Sequence, residues 1–78
     1  MADVRERLIE CFQTVFPDLP PDRIAAATTD NLPEWDSMQA QTLMAVIEET
    51  FLLRIGPQDL PAFTSFAKIL ELLARRSK

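Results

Sequence analysis

The sequence predicts an all-α domain, a small four-helix bundle of three long helices and one short one around a single core. Three observations predict it. Apolar residues recur at helical spacing in three separate stretches, no stretch alternates as a strand would, and prolines or the sole glycine stand between the stretches. At 78 residues the chain makes one domain, 1–78, near the smallest size at which a single core holds without staples. Its 47% hydrophobic and 26% charged residues form an ordinary globular balance.

The first helix is expected over residues 3–16. Asp3 and Glu6 have capping-box spacing and put acid in the first turn, where the helix dipole favours it. Val4, Leu8, Cys11, Phe12 and Val15 fall on one face. Cys11 lies on that face and reads as a small core residue rather than a reactive thiol. Pro17 ends the helix, because the residue before a proline is pushed out of helical geometry.

Residues 17–36 read as a long connection, punctuated by Pro17, Pro20, Pro21 and Pro33, with turn-favouring Thr28-Thr29-Asp30-Asn31. A connection of that length in a compact domain is either functional or pinned by its own apolar residues. Ile24, Leu32 and Trp35 are the candidates for pinning, with a short helical turn over Pro21 to Ala27. Such a span reaches from one end of a bundle to the other, which would make the helices on either side run parallel.

The second long helix is expected from Ser37 to about Leu52, capped by Asp36 or Ser37; Asp36 and Gln39 repeat the capping-box spacing. Ala40, Leu43, Met44, Ile47 and Phe51 form its core-facing stripe. A second, mixed stripe of Met38, Gln41, Thr42, Ala45, Glu48 and Glu49 reads as a solvated face or as a partner-docking one. Gly56-Pro57 then breaks the chain, and residues 57–62 allow one short turn with Leu60 pointing inward. Thr64 or Ser65 starts the last helix, which buries Phe66, Ile69, Leu70 and Leu73, while Arg75, Arg76 and Lys78 suit its carboxyl end.

Composition excludes several functions. One cysteine allows no internal disulfide, without histidine or further cysteines no zinc site is credible, and without histidine no Ser-His or Cys-His catalytic set can be built. A single glycine rules out a Gly-rich phosphate loop. Glu48 and Glu49 are neighbours on a helix and diverge, so they cannot converge on a substrate or metal. The net charge of −4 argues against nucleic acid and anionic membranes, and no apolar run approaches a membrane span. Asp3, Glu6 and Glu10 interrupt the amino end, so no signal peptide is expected and a cytoplasmic address follows. An enzyme acting alone is not expected.

What remains is Ser37. A serine after an aspartate at a helix start is most simply a cap. In this chain it also follows a long loop, opens an acid-containing helix and stands near the middle of a domain with no other chemistry. That context points to a covalent attachment point: a hydroxyl held by the helix yet facing water.

Here the chain resembles the acyl carrier proteins of the phosphopantetheine-binding superfamily, which includes peptidyl and aminoacyl carriers. Asp36-Ser37-Met38 is similar to the family's Asp-Ser-Leu at the start of its second helix, with Met in the Leu place. The similarity runs on through Leu43-Met44-Ala45-Val46-Ile47-Glu48-Glu49-Thr50-Phe51, an apolar segment closing in Glu-Glu-x-Phe. Ile55 before a proline-containing turn, and then Phe63-Thr64-Ser65-Phe66, match the start of the family's last helix. The resemblance covers nearly the whole chain.

The resemblance implies that a phosphopantetheinyl transferase attaches 4'-phosphopantetheine from coenzyme A to Ser37, with Asp36 and Met38 beside it. An acyl- or aminoacyl-loading ligase and a downstream acyltransferase or synthase would be further partners of a monomeric carrier. Met38, Gln41, Thr42, Ala45, Glu48, Glu49 and Ile55 are the implied partner surface. Gln39 and Thr42 stand where the fatty-acid-synthesis type often has acids, and Trp35 where it has a small residue. Those departures point to a specialised stand-alone carrier serving a polyketide, peptide, aminoacyl or cell-envelope pathway. Phe12, Phe51, Phe63 and Phe66 would fill the core, leaving cargo outside it. Two alternatives stand beside this: a carrier-like interaction module in which Ser37 is only a cap, and a ligand-binding or regulatory bundle that dimerises.

Overall fold

The structure, a computed structural model, describes residues 3–76; Lys78, expected to complement the last helix, lies outside them. Helix α1 spans Val4–Val15, α2 Pro21–Ala25, α3 Ser37–Phe51 and α4 Phe66–Arg76, with a 3-10 helix over Pro57–Ala62 between the last two. The described residues are mostly helical and hold no strand, only one isolated antiparallel bridge between Thr28 and Ser65. None of their helices is long and apolar enough to cross a membrane.

Helix α1 is the hub: α2, α3 and α4 all pack on it, and the α3 backbone runs close to α1 alone. Asp3 caps α1, its carboxylate accepting from the Glu6 amide at 2.9 Å. Leu8, Cys11 and Phe12 are buried on the inner face, Val4 and Val15 half-buried at its edges, and Phe16 closes the helix inside the core. Burial holds the Cys11 thiol in its neutral form and pushes its pKa up, which Thr50 and Arg7 only partly offset. This is the environment of a packing residue.

The long connection is pinned where the apolar residues are. Ile24, Leu32 and Trp35 are all buried, and Ala27 joins them. Pro20 and Pro21 start α2, whose proline at the first helical position needs no amide partner. Polar ties hold the rest. The Asn31 side chain accepts from the Thr28 amide at 2.9 Å and donates to the Ala26 carbonyl at 3.0 Å, and the Thr28 hydroxyl accepts from the Asn31 amide. Thr29 and Phe66 amides then bond across to Thr64 and Ala27 carbonyls, joining the loop to the start of α4.

That pinning reverses the expected helix direction. The Arg7 guanidinium, near the start of α1, donates to the Thr50 carbonyl and lies 4.6 Å over the Phe51 ring at the end of α3. Phe12, in the second half of α1, meets Trp35 just before α3 begins. The two helices therefore run antiparallel, because the buried residues of the loop fold it back over α1 rather than letting it span the bundle.

Other departures are local. Residues 57–62 make a six-residue 3-10 helix, about two turns rather than one. Its Leu60 is half exposed instead of pointing inward. The Asp59 carboxylate holds the element, accepting from the Gly56 amide at 3.1 Å and from Arg76 at 2.7 Å, so Arg76 serves a tertiary ion pair as well as the helix end. Ser65 caps α4 through the Lys68 amide. Leu72 takes the core place expected of Leu70, which is half-buried.

Trp35 ought to dominate this loop's stability. Replacing it with Ala should cost about 3–5 kcal/mol, a large part of the roughly 5–15 kcal/mol of a small domain. Trp35→Phe should cost clearly less, since it keeps a ring and removes the indole N–H, which is buried without a hydrogen-bond partner among the described residues. Urea unfolding of the three proteins checks the order; equal losses for Ala and Phe would contradict it.

Candidate functional site: the start and outer face of α3

The site is built from the loop inward. Buried Leu32 and Trp35 fix the chain ahead of α3, and the Trp35 amide donates to the Leu32 carbonyl at 3.0 Å. Pro33 and Glu34 are exposed between them, so the backbone turns over two anchored side chains. The next residue, Asp36, is extended and is the cap of α3. Its carboxylate accepts from the Gln39 amide at 2.9 Å and its carbonyl from the Ala40 amide at 2.8 Å.

With Asp36 in the capping role, Ser37 is left as the first helical residue. It is exposed, and among the described residues its hydroxyl makes no hydrogen bond. Met38 beside it is 76% exposed, a large apolar side chain standing in water. The Ser37 and Met38 amides belong to the first turn and have no intrahelical acceptor, so a positive helix end faces the same solvent as the hydroxyl. No histidine exists in the chain, and no base is bonded to this hydroxyl among the described residues. The fold presents Ser37 without activating it. Among the described residues, no three metal-ligating side chains come together.

The outer face of α3 continues from there. Gln41, Thr42, Ala45 and Glu49 are exposed along it, as the mixed stripe predicts. The Thr42 hydroxyl turns back and donates to the Met38 carbonyl at 3.2 Å. Glu48 departs from the expectation. It is half-buried, and its carboxylate accepts from the Ile55 amide at 2.8 Å. Its negative charge ties the chain after α3 to the helix instead of standing free for a partner. Ile55 is likewise half-buried and packed on the core. On the inner face Leu43 and Ile47 are buried, with Ala40, Met44 and Phe51 half-buried beside them.

Of the four phenylalanines expected to fill the core, Phe12, Phe63 and Phe66 do so. Phe51 closes the edge, half-buried beneath Arg7. Leu32, Glu34 and Gln39, which flank Ser37 in sequence, line an open cleft with Val15, Phe16 and Leu19 at the carboxyl end of α1.

One residue of this surface was not foreseen. Leu52 ends α3 in the left-handed conformation, φ 53° and ψ 50°, and is 89% exposed. A Cβ in that region costs about 1 kcal/mol, and glycine or asparagine is the usual occupant. The helical spacing runs through Leu52 without a break, so nothing in the sequence marked it as the turning point.

Comparison of the chain with protein-family models, with characterised proteins and with solved structures finds no match to any of them.

Two substitutions separate the roles at the helix start. Asp36→Ala should destabilise the domain by about 1 kcal/mol through the lost cap. Ser37→Ala should leave stability unchanged within about 0.5 kcal/mol, as expected of a surface change. Thermal and urea midpoints check both, and a Ser37→Ala loss as large as that of Asp36→Ala would show that the serine is the cap.

Proposed function

We propose that this chain is an acyl carrier protein of the phosphopantetheine-dependent kind, folded as a carrier-type four-helix bundle, with the prosthetic arm attached at Ser37. The observation that carries this reading is the division of labour at the start of α3. Asp36 takes the cap and Ser37 is left exposed in the first turn, its hydroxyl without a hydrogen bond among the described residues. The resemblance of Asp36-Ser37-Met38 and of the helix that follows supports the same reading.

The residues present suit the group. A serine ester of a phosphate would sit at the positive end of a 15-residue helix, where the first amides favour anionic oxygen. When bound, the arm supplies a thiol that holds acyl or aminoacyl cargo as a thioester. Ser37 provides the point of attachment, Asp36 fixes the backbone beneath it, and Met38 offers an apolar contact beside it. A transferase supplies the base and magnesium that this chain lacks. The chain itself has no catalytic part, acts in the cytoplasm as a monomer, and delivers cargo by local tethering rather than by diffusion. Docking through the outer face of α3 is weakly charged, since Glu49 alone of the two expected acids is exposed on it. That composition fits a specialised pathway more than an electrostatic, fatty-acid-type partnership. Close packing of Phe12, Phe63 and Phe66 favours cargo held outside the core.

Incubation with coenzyme A, magnesium and a broad-specificity phosphopantetheinyl transferase, read by intact mass, tests the proposal. The wild type should gain one phosphopantetheinyl group and Ser37→Ala none. No gain with several transferases would leave a helical interaction module with an exposed serine.

A further inference from the structure

The chain enters and leaves its long connection through two turns of one pattern. Phe16-Pro17-Asp18-Leu19 and Leu32-Pro33-Glu34-Trp35 each read apolar, proline, acid, apolar. Each is closed by its fourth amide donating to its first carbonyl, Leu19 to Phe16 at 3.1 Å and Trp35 to Leu32 at 3.0 Å. Proline at the second position presets such a turn. Buried Phe16, Leu32 and Trp35 anchor the ends, with Leu19 half-buried on the core. The acid of each turn is therefore an exposed tip on a held backbone.

Both turns line one cleft of about 210 Å³ beside the start of α3. Val15, Phe16, Leu19 and Leu32 give it an apolar wall, while Asp18 and Glu34 give it negative charge. Neither carboxylate is in an ion pair among the described residues. No base lines the cleft; Arg23 lines a neighbouring hollow that shares Leu19 and Leu32. Residues 17–36 hold five acids and one base, which is the whole of the chain's net charge of −4. The cleft is smaller than the roughly 300–1,000 Å³ of sites for drug-sized ligands, so it admits a few carbons and not a long acyl chain. A cargo without positive charge would leave both acids unpaired, and an acidic one would be repelled. Glu34 and Gln39, which line the cleft, stand three residues before Ser37 and two after it. A group on a short flexible tether reaches an effective concentration in the mM range, so weak contacts are enough to hold it there.

We infer that this cleft receives the tethered cargo, and that the cargo is a short aminoacyl group with an apolar side chain. Its ammonium donates to Asp18 and Glu34, and its side chain lies against Val15, Leu19 and Leu32. The inference rests on the carrier reading of Ser37 and selects, among acyl groups, those that carry a free amine.

The test compares two cargoes of one carbon skeleton, leucyl and 4-methylpentanoyl, which differ by the amine. Each is placed on Ser37 by a phosphopantetheinyl transferase from a coenzyme A analogue that carries it through an amide. Near pH 6.5, below the α-amino pKa of about 7.7–8.0, the leucyl form should shift the Val15, Leu19 and Leu32 methyl signals and the 4-methylpentanoyl form should not. Asp18→Asn combined with Glu34→Gln changes two exposed side chains, so it keeps the fold, and it should abolish the difference. Leucinamide titrated into the unmodified chain should give the same shifts, with a Kd in the mM range that the double variant weakens about fivefold, as two exposed charge pairs allow. Equal shifts from both cargoes, or shifts at Leu43, Ile47 and Ile69 instead, would overturn the inference while leaving Ser37 as the attachment point. Slower modification of the double variant without any difference between cargoes would assign the acids to a basic partner and overturn it too. Failure of the wild type to accept either analogue would overturn the carrier reading and the tethered cargo with it.

Discussion

The indole of Trp35 meets the ring of Phe12 edge-on, 5.3 Å between centroids at 88°, and Phe12 in turn meets Phe66 at 5.4 Å. Three elements converge on that one ring: the loop before α3, the hub helix and the start of α4. Edge-to-face pairs add about 0.5–1.5 kcal/mol beyond their burial. Their greater effect here is positional. A 20-residue connection that would otherwise wander is stopped one residue before Asp36, and the cap then sets the first turn of α3 with Ser37 facing solvent. The buried indole N–H, without a partner among the described residues, is a cost accepted at that point.

Much of this was legible in the sequence, for identifiable reasons. The three long helices follow from apolar spacing and from Asp3 and Asp36, whose carboxylates accept the Glu6 and Gln39 amides; among the described residues neither the Glu6 nor the Gln39 side chain returns the bond, so each capping box forms only by half. The pinning of the loop by Ile24, Leu32 and Trp35 follows from the rule that a long connection must bury something. What was not legible depended on three-dimensional context. The direction of α3 relative to α1 is set by side chains that meet across the core, Arg7 with Phe51 and Phe12 with Trp35, which no local pattern encodes. Glu48 looked like half of a solvated acidic pair, and only the return of the chain brought the Ile55 amide to it. Leu60 looked apolar and therefore internal, whereas the 3-10 helix turns it outward. The left-handed turn at Leu52 is invisible to periodicity, because leucine is a good helix former and a poor occupant of that conformation.

At the site the same division holds. Sequence narrowed the chemistry to one serine by exhausting the alternatives, but it left two roles for that serine. The geometry assigns the cap to Asp36, which removes the simplest structural use of Ser37 and sharpens the case for attachment. The outer face of α3 becomes narrower than its sequence suggests. Glu48 and Ile55 are engaged by the fold, while Met38 and Leu52 stand exposed at its two ends.

The most direct measurement is the mass of the Ser37 peptide from protein isolated from the cells that naturally make it. The account predicts that a substantial fraction carries one phosphopantetheinyl group on Ser37, lost as the diagnostic fragment in tandem mass spectrometry. Protein found only with an unmodified serine, under all growth conditions, would contradict the account.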